Sequence, residues 1–162
     1  MYIVSACLLG ANCKYNGGNN DNEDVKDLCE GHRIITVCPE TEGGLRSPRQ
    51  PAEQVGERVI DREGKDLTDA FTRGAEICLN KVLSAAEEGE EPELAILKAN
   101  SPSCGSCRIY DGTFSGTLTD GDGVFTKLLK ARGIKVITEN DIKQDIDEDA
   151  NKDKTIEKEL KR

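Results

Sequence analysis

The sequence has no tryptophan, one histidine (His32), and only three tyrosines and three phenylalanines. With one imidazole, multi-histidine zinc or copper sites are excluded, and a Ser-His-Asp triad would have to use His32. No stretch approaches the ~20 apolar residues that a membrane-spanning helix needs. The first ten residues also lack the basic flank of a signal peptide. We therefore expect a cytoplasmic protein whose chemistry depends little on imidazole.

Positive charge is also scarce, since 22 Lys and Arg residues stand against 31 Asp and Glu residues, for a net charge of −9. A chain with this balance repels phosphate backbones and anionic lipid surfaces. We expect neither a membrane nor a large nucleic acid as a partner. The 162 residues suit one compact domain, which we assign to residues 1–142. Residues 143–162 are rich in Lys, Asp and Glu, and we expect a charged tail that is helical or disordered.

Cysteine, by contrast, is abundant, with seven residues in the chain. The number is odd, and cytoplasmic thiols are normally kept reduced, so we do not expect disulfides. The cysteines are therefore metal ligands, nucleophiles or small buried side chains. Cys78 lies on the apolar stripe of a predicted helix and Cys29 lies near the end of another, and we interpret both as core residues.

Short β-prone runs and helical patterns alternate along the chain. Apolar runs predict strands over residues 2–6, 34–37, 93–99 and 134–137. Apolar spacings of three and four predict helices over residues 24–30, from Thr68 or Asp69 to near Gly89, and over 124–133. This alternation favours right-handed crossovers and a parallel sheet with both faces covered. We predict an α/β fold, a Rossmann-like three-layer sandwich with a mostly parallel sheet of about four strands.

Three other stretches carry different patterns. Residues 39–51 contain three prolines and two adjacent glycines, which predicts an ordered loop without regular structure. Residues 57–67 carry Glu-Gly-Lys between two short alternating runs, which predicts a small hairpin around that turn. Residues 110–123 are rich in glycine, and we assign no strand or helix to them.

Three cysteines follow predicted strands at the points where the strands end. Cys7 ends the first strand, Cys38 ends the second, and Cys104 lies a few residues beyond the third. In an open parallel sheet the binding crevice lies beyond the carboxyl ends of the strands. We therefore predict that these three thiols meet at one edge of the sheet. Soft thiolate ligands with almost no histidine favour an iron–sulfur cluster first and zinc second.

Two further cysteines lie close to these candidates in sequence. Cys13 follows Cys7 by six residues, and Cys107 follows Cys104 by three. A Cys-x-x-Cys pair is typical of a redox couple or of half a zinc site, although here the pair lies in a loop and not at the start of a helix. Both cysteines stay open as a fourth ligand. With four protein ligands a cluster transfers electrons or supports structure, whereas with three it keeps one iron free for substrate.

Three segments, in order, resemble the signatures of a known family: SACLLGANCKYNGGNN at 5–20, VCPETEGGLRSPRQPAE at 37–53 and KANSPSCG at 98–105. That family is the bacterial and archaeal domain of unknown function family 523, whose characterised members are thiouracil desulfidases. The similarity extends to about residue 142. It implies an oxygen-sensitive [4Fe-4S] cluster, easily lost in air, that is held by three cysteines and has one open iron. Matched motif by motif, the ligands are Cys7, Cys38 and Cys104.

The resemblance implies an enzyme that removes sulfur from a thiolated nucleobase, converting thiouracil to uracil and hydrogen sulfide without net electron transfer. The open iron would act as a Lewis acid. Glu40, two residues after Cys38, is the candidate general acid and base, and Ser101 and Ser103 are further catalytic candidates. The candidate substrate-binding residues are Tyr15, Asn16, Gly43, Gly44, Arg49 and Asn100.

These side chains also have structural interpretations. Glu40 can simply pair with Arg46 or Arg49, and the two serines can cap a turn. The alternative functions are a noncatalytic module that binds zinc or an iron–sulfur cluster, and a carrier of sulfur or iron.

Overall fold

The computed structural model describes residues 1–143 and Lys152, so most of the predicted charged tail lies outside the described residues. In chain order the elements are β1 (Tyr2–Ser5), a 3-10 turn (Ala6–Leu9), α1 (Glu23–Cys29), β2 (Ile34–Val37), α2 (Pro39–Glu42), β3 (Ala52–Val55), β4 (Arg58–Asp61), α3 (Thr68–Glu87), β5 (Leu94–Leu97), β6 (Arg108–Tyr110), β7 (Leu118–Asp120), α4 (Val124–Ala131) and β8 (Val136–Thr138). No helix among the described residues is long and apolar enough to cross a membrane.

A four-stranded sheet in the order β2-β1-β5-β8 forms the centre of the molecule. All three strand pairs are parallel. Every residue of β5 is buried, as expected for a central strand of a parallel sheet with both faces covered. The prediction of an α/β fold with a parallel sheet of four strands is confirmed, and the architecture is consistent with a Rossmann-like fold.

Alternate side chains of the sheet enter two separate cores. On one face, Ile3 and Leu97 pack with Phe125 and Leu129 of α4 and with the apolar stripe of α3. On the other face, the second core is formed by Val4, Leu8, Val25, Cys29, Ile96, Ile137 and Ile142. The period of two along each strand therefore gives three layers. Cys78 and Cys29 lie in these cores, as predicted.

The segment after Cys38 differs from the prediction. Residues 39–51 were expected to lack regular structure, but Pro39–Glu42 forms the short helix α2. Proline is well suited to the first position of a helix, because its missing N–H would have no partner there and its φ already fits. The rest of the stretch is irregular.

Two hairpins flank the sheet edge, and the sequence predicted only part of one of them. The predicted turn at Glu-Gly-Lys is present, since Ile60 forms an antiparallel bridge with Asp66 and Asp61 N donates to Lys65 O at 2.9 Å. The regular ladder of β4, however, is with the preceding strand β3, through a turn at Gly56 and Glu57 that was not predicted. The Gly-rich stretch to which no strand was assigned contains a second antiparallel pair, β6 and β7.

Helix α3 begins without the expected side-chain cap, because Thr68 Oγ1 accepts a hydrogen bond from Val59 N instead.

Helix α3 fixes α2 through a close contact between two glycines and the opposing backbones. A Cβ on Gly74 would lie 1.7 Å from the carbonyl oxygen of Pro39, and a Cβ on Gly43 would lie 2.1 Å from that of Ala70. Only glycine permits this approach. Since Pro39 directly follows Cys38, the contact also fixes where that cysteine lies.

We expect Gly74→Ala to lower the free energy of unfolding by about 1–3 kcal/mol, because the added methyl group forces the two helices apart. The better helix propensity of alanine, at most ~1 kcal/mol, offsets only part of this cost. Urea denaturation provides the measurement. Thr72→Ala, at an exposed position of the same helix, is the control and should change stability by less than about 0.5 kcal/mol. A Gly74→Ala protein as stable as the wild type would contradict the packing described.

Candidate active site

A cavity of about 470 Å³ lies at the carboxyl edge of the sheet. The strand order reverses at β1, since β2 lies on one side of it and β5 on the other. Such a switch point opens a crevice between the loops that follow the two central strands. Here the loops after β1, β2 and β5 all contribute to the cavity wall. The two hairpins supply the remaining side of the wall.

Four cysteines line this cavity: Cys7, Cys13, Cys38 and Cys104. The structure thus brings together the three thiols predicted from the strand ends and adds Cys13 to them. Cys107 is exposed and does not line the cavity. In the part of the chain that the structure describes, no three His, Cys, Asp or Glu side chains form a group that could hold a single metal ion.

The loop that carries Cys104 is held on several sides. Thr126 Oγ1 of α4 donates to the carbonyl oxygen of Cys104 at 2.8 Å. The backbone N–H of Phe125 donates to Ser103 O at 2.9 Å. From β3, Gln54 Nε2 donates to Pro102 O at 2.9 Å. Because the backbone of this loop is tied to both a helix and a hairpin, the position of the buried Cys104 is fixed before any ligand binds.

The thiols differ in acidity because their surroundings differ. A hydrogen bond from Cys13 lowers the pKa of Cys7 to about 7 and that of Cys38 to about 6, although burial opposes the change in each. By the same contacts the pKa of Cys13 is raised, so the three thiols share their protons. Burial raises the pKa of Cys104. Cys7 and Cys38 are therefore the first of the four to become thiolates, the form that binds metal.

A carboxylate stands beside these thiols and is held at both oxygens. Ser103 Oγ donates to Glu40 Oε2 at 2.8 Å, and Arg49 Nε donates to Glu40 Oε1 at 3.2 Å. The side chains of Arg49 and Glu40 are only 11% and 18% exposed. Arg49 also donates to the carbonyl oxygens of Arg46 and Cys13. These hydrogen bonds offset the cost of placing the carboxyl group of Glu40 in a largely buried site.

The two serines have different contacts. Ser101 Oγ accepts hydrogen bonds from the backbone N–H groups of Ser103 and Cys104, at 3.2 and 3.1 Å, which is a turn-capping role. It also lies 2.9 Å from Ser103 Oγ. Ser103 is almost fully buried and links Ser101 to Glu40. The site therefore contains a continuous hydrogen-bonded chain from Ser101 through Ser103 to the carboxylate.

The proposed substrate-binding residues divide into two groups. Tyr15 and Arg49 line the cavity, whereas Asn16, Gly43, Gly44 and Asn100 do not. Asn16 caps its own turn, since its side chain accepts from Gly18 N. Gly43 serves the contact between α2 and α3. The close packing of α2 against α3 therefore explains why position 43 is a glycine.

Several residues that line the cavity belong to no sequence motif that predicts a function. Among these, Lys98 directly follows β5 and donates to Glu139 Oε1 at 2.6 Å. Its charge favours the thiolate of Cys7. Glu53, Arg62 and Phe114 reach the cavity from the two hairpins. The spacing Cys-x5-Cys did mark Cys13, but the hairpins carry no pattern that places them at the sheet edge.

These features define a class of protein: an α/β domain whose cavity lies at the carboxyl edge of a parallel sheet and is lined by thiols and a paired carboxylate. The model of the 2-thiouracil desulfurase family matches residues 2–141. The chain belongs to that family.

Two relatives give the extent of the likeness. The uncharacterized protein YbbK of Bacillus subtilis (strain 168) is 40% identical over 152 residues, covering 88% of this chain and 97% of the relative. The solved structure of the [4Fe-4S]-dependent thiouracil desulfidase TudS matches with a TM-score of 0.79 and 41% identity, over 88% of this chain and 93% of that one.

We expect Cys13→Ala to make Cys38 less reactive in the cluster-free protein. Without the Cys13 donor, the pKa of Cys38 rises from about 6, so the thiolate fraction at pH 6.5 falls and alkylation by iodoacetamide slows severalfold. Mass spectrometry of tryptic peptides follows the rate at each cysteine across a pH series. Cys107→Ala is the control, because Cys107 lies outside the cavity. An unchanged pH profile for Cys38 would mean that Cys13 does not set its acidity.

Proposed function

We propose that the protein is a [4Fe-4S]-dependent desulfidase that converts thiouracil to uracil and hydrogen sulfide by hydrolysis without net electron transfer. The observation that carries the proposal is the meeting of the strand-end thiols with the paired carboxylate Glu40 in one cavity. Family membership and the likeness to TudS support the same reaction. The substrate is a small thiolated pyrimidine, and the cavity volume suits a ligand of that size.

The residues present fit the cluster. Cys7, Cys38 and Cys104 are the ligands that we propose, each placed by the end of a different strand, and soft thiolates are the donors that iron–sulfur clusters take. Lys98 and Arg49 supply positive charge beside a site that carries several negative groups. When bound, the cluster would supply a Lewis-acidic iron with an affinity for the sulfur of the substrate.

Glu40 is the group that we propose to move protons. As a carboxylate it can accept a proton from water that adds to the thiocarbonyl carbon, and then return the proton to the ring nitrogen or to the departing sulfur. Arg49 orients it through Oε1, while Ser103 donates to Oε2 and can rotate its hydroxyl toward the substrate. Ser101 supports Ser103 in that position.

Cys13 is the basis of the rival proposal. Its thiol interacts with those of Cys7 and Cys38, so a cluster with four cysteine ligands, without an open iron, is the second candidate. Such a module would be noncatalytic. Alanine variants of the four cysteines that line the cavity distinguish the two ligand sets and thus the two functions.

We expect Cys7→Ala, Cys38→Ala and Cys104→Ala to lose the cluster, and Cys13→Ala to keep full iron content after anaerobic reconstitution. Iron and acid-labile sulfide analysis with absorbance spectra gives the measurement, and Cys107→Ala is the control for loss of a cysteine outside the cavity. If Cys104→Ala keeps its cluster while Cys13→Ala loses it, the third ligand is Cys13. If both lose it, four cysteines bind and the open-iron reaction has no basis.

We expect Glu40→Gln to retain the cluster but to release sulfide from 2-thiouracil or 4-thiouracil at least about 100-fold more slowly, since a positioned general base contributes about 10²–10⁴ in rate. Glu42→Gln is the matched control. Glu42 lies on the same short helix but pairs with Lys81 and does not line the cavity. Equal rates for the two variants would remove Glu40 from the mechanism.

A further inference from the structure

The loop between β6 and β7 crosses to the cavity as a strap, which we define as residues 111–117. Phe114 of this strap lines the cavity. The strap lies directly on β3, because a Cβ on Gly112 would be 2.7 Å from the carbonyl oxygen of Gln54. Its base is closed by a hydrogen bond from Asp111 N to Thr117 O at 3.0 Å. The strap is thus a fixed part of the cavity wall.

A buried carboxylate anchors the strap. Glu53 Oε1 accepts hydrogen bonds from the backbone N–H groups of Gly112 and Phe114, at 3.0 and 3.1 Å, and the residue is only 8% exposed. Burying a carboxylate is costly unless its hydrogen bonds compensate. The hairpin is already closed by the bond between Asp111 and Thr117. The two further hydrogen bonds to Glu53 fix the backbone at Phe114.

The backbone of Phe114 is itself strained. Its φ is +56°, in the left-handed region that a bulky side chain rarely occupies. Glycine would adopt this conformation freely, and the strap already contains Gly112 and Gly116. Strained backbone of this kind is concentrated at ligand-binding and active sites. The consequence of having phenylalanine here is that an aromatic ring lines the cavity, with the Arg62 guanidinium 5.8 Å from the ring centroid.

Resting on the proposed function, we propose that Phe114 is the platform on which the pyrimidine ring of the substrate stacks, and that Glu53 is the positioning residue that holds this platform. A planar, conjugated base gains from stacking on an aromatic face. Glu40 and Ser103 would then meet the edge of a ring whose plane Phe114 sets. The platform determines selectivity for planar thiolated heterocycles over aliphatic thioamides.

The test uses the cluster-loaded full chain and two readouts. We expect Phe114→Leu to raise KM for thiouracil about tenfold, in line with the loss of one stacking contact, while kcat changes less than about twofold because Glu40 is untouched. Phe114→Tyr should restore the wild-type KM. Glu53→Ala should raise KM in the same way, and Glu53→Gln should not, because its amide oxygen can still accept both N–H groups.

Binding of uracil by calorimetry is the second readout and needs no C–S cleavage. We expect Phe114→Leu and Glu53→Ala to weaken binding about tenfold, with unchanged iron content. Thr113→Ala, at an exposed position of the strap, is the matched control. An unchanged uracil affinity in Phe114→Leu would overturn the platform, whether or not sulfide is released. Loaded wild-type protein that binds uracil but releases no sulfide would overturn the proposed reaction and leave the platform standing.

Discussion

Parallel hydrogen bonding of β2, β1 and β5 is the constraint on which the site depends. It aligns the three strand ends, so the loops that follow them must share one edge, and each of these loops carries a cysteine. The register pairs Ser5 with Val37, so Cys38 follows the last paired position by one residue and Cys7 by two. Ser5 Oγ also accepts from Lys98 N at 3.0 Å and so ties the end of β1 to the end of β5. Long-range backbone pairing therefore positions chemistry that no local motif could assemble.

The carboxyl edge of the sheet also brings together a carboxylate, a guanidinium and several thiols, whose charges must be balanced. Glu40 opposes ionisation of two thiols. At Cys38 the hydrogen bond from Cys13 outweighs this effect and the pKa is lowered, whereas at Cys104 burial is the larger cause of a raised pKa and Glu40 adds to it. Arg49 pairs with Glu40, and its Nη2 donates to the carbonyl oxygen of Cys13. One guanidinium thus connects the carboxylate to the thiol loop. This explains how a chain with a net charge of −9 can still concentrate acidic groups in one cavity.

The sequence predicts the parts that depend on local pattern and on the rules of parallel sheets. The central strands, helix α3 and the convergence of the strand-end cysteines all follow from periodicity and strand ends. The antiparallel turn at Glu-Gly-Lys was predicted, but the pairing of β4 with β3 was not, because the four residues of β3 carry too short a pattern to detect. The strands β6 and β7 have three residues each and too little pattern to detect. Consequently Phe114 and Glu53, which reach the cavity from the hairpins, could not be assigned from sequence.

In the proposed site, Cys7, Cys38 and Cys104 would hold the cluster and one iron would have no protein ligand. Mössbauer spectroscopy of protein reconstituted with iron-57 tests this most directly, before and after anaerobic addition of sulfide. One iron in four should have parameters different from the rest, and those parameters alone should change when sulfide is added. Four equivalent, cysteine-bound irons that do not respond to sulfide would contradict it.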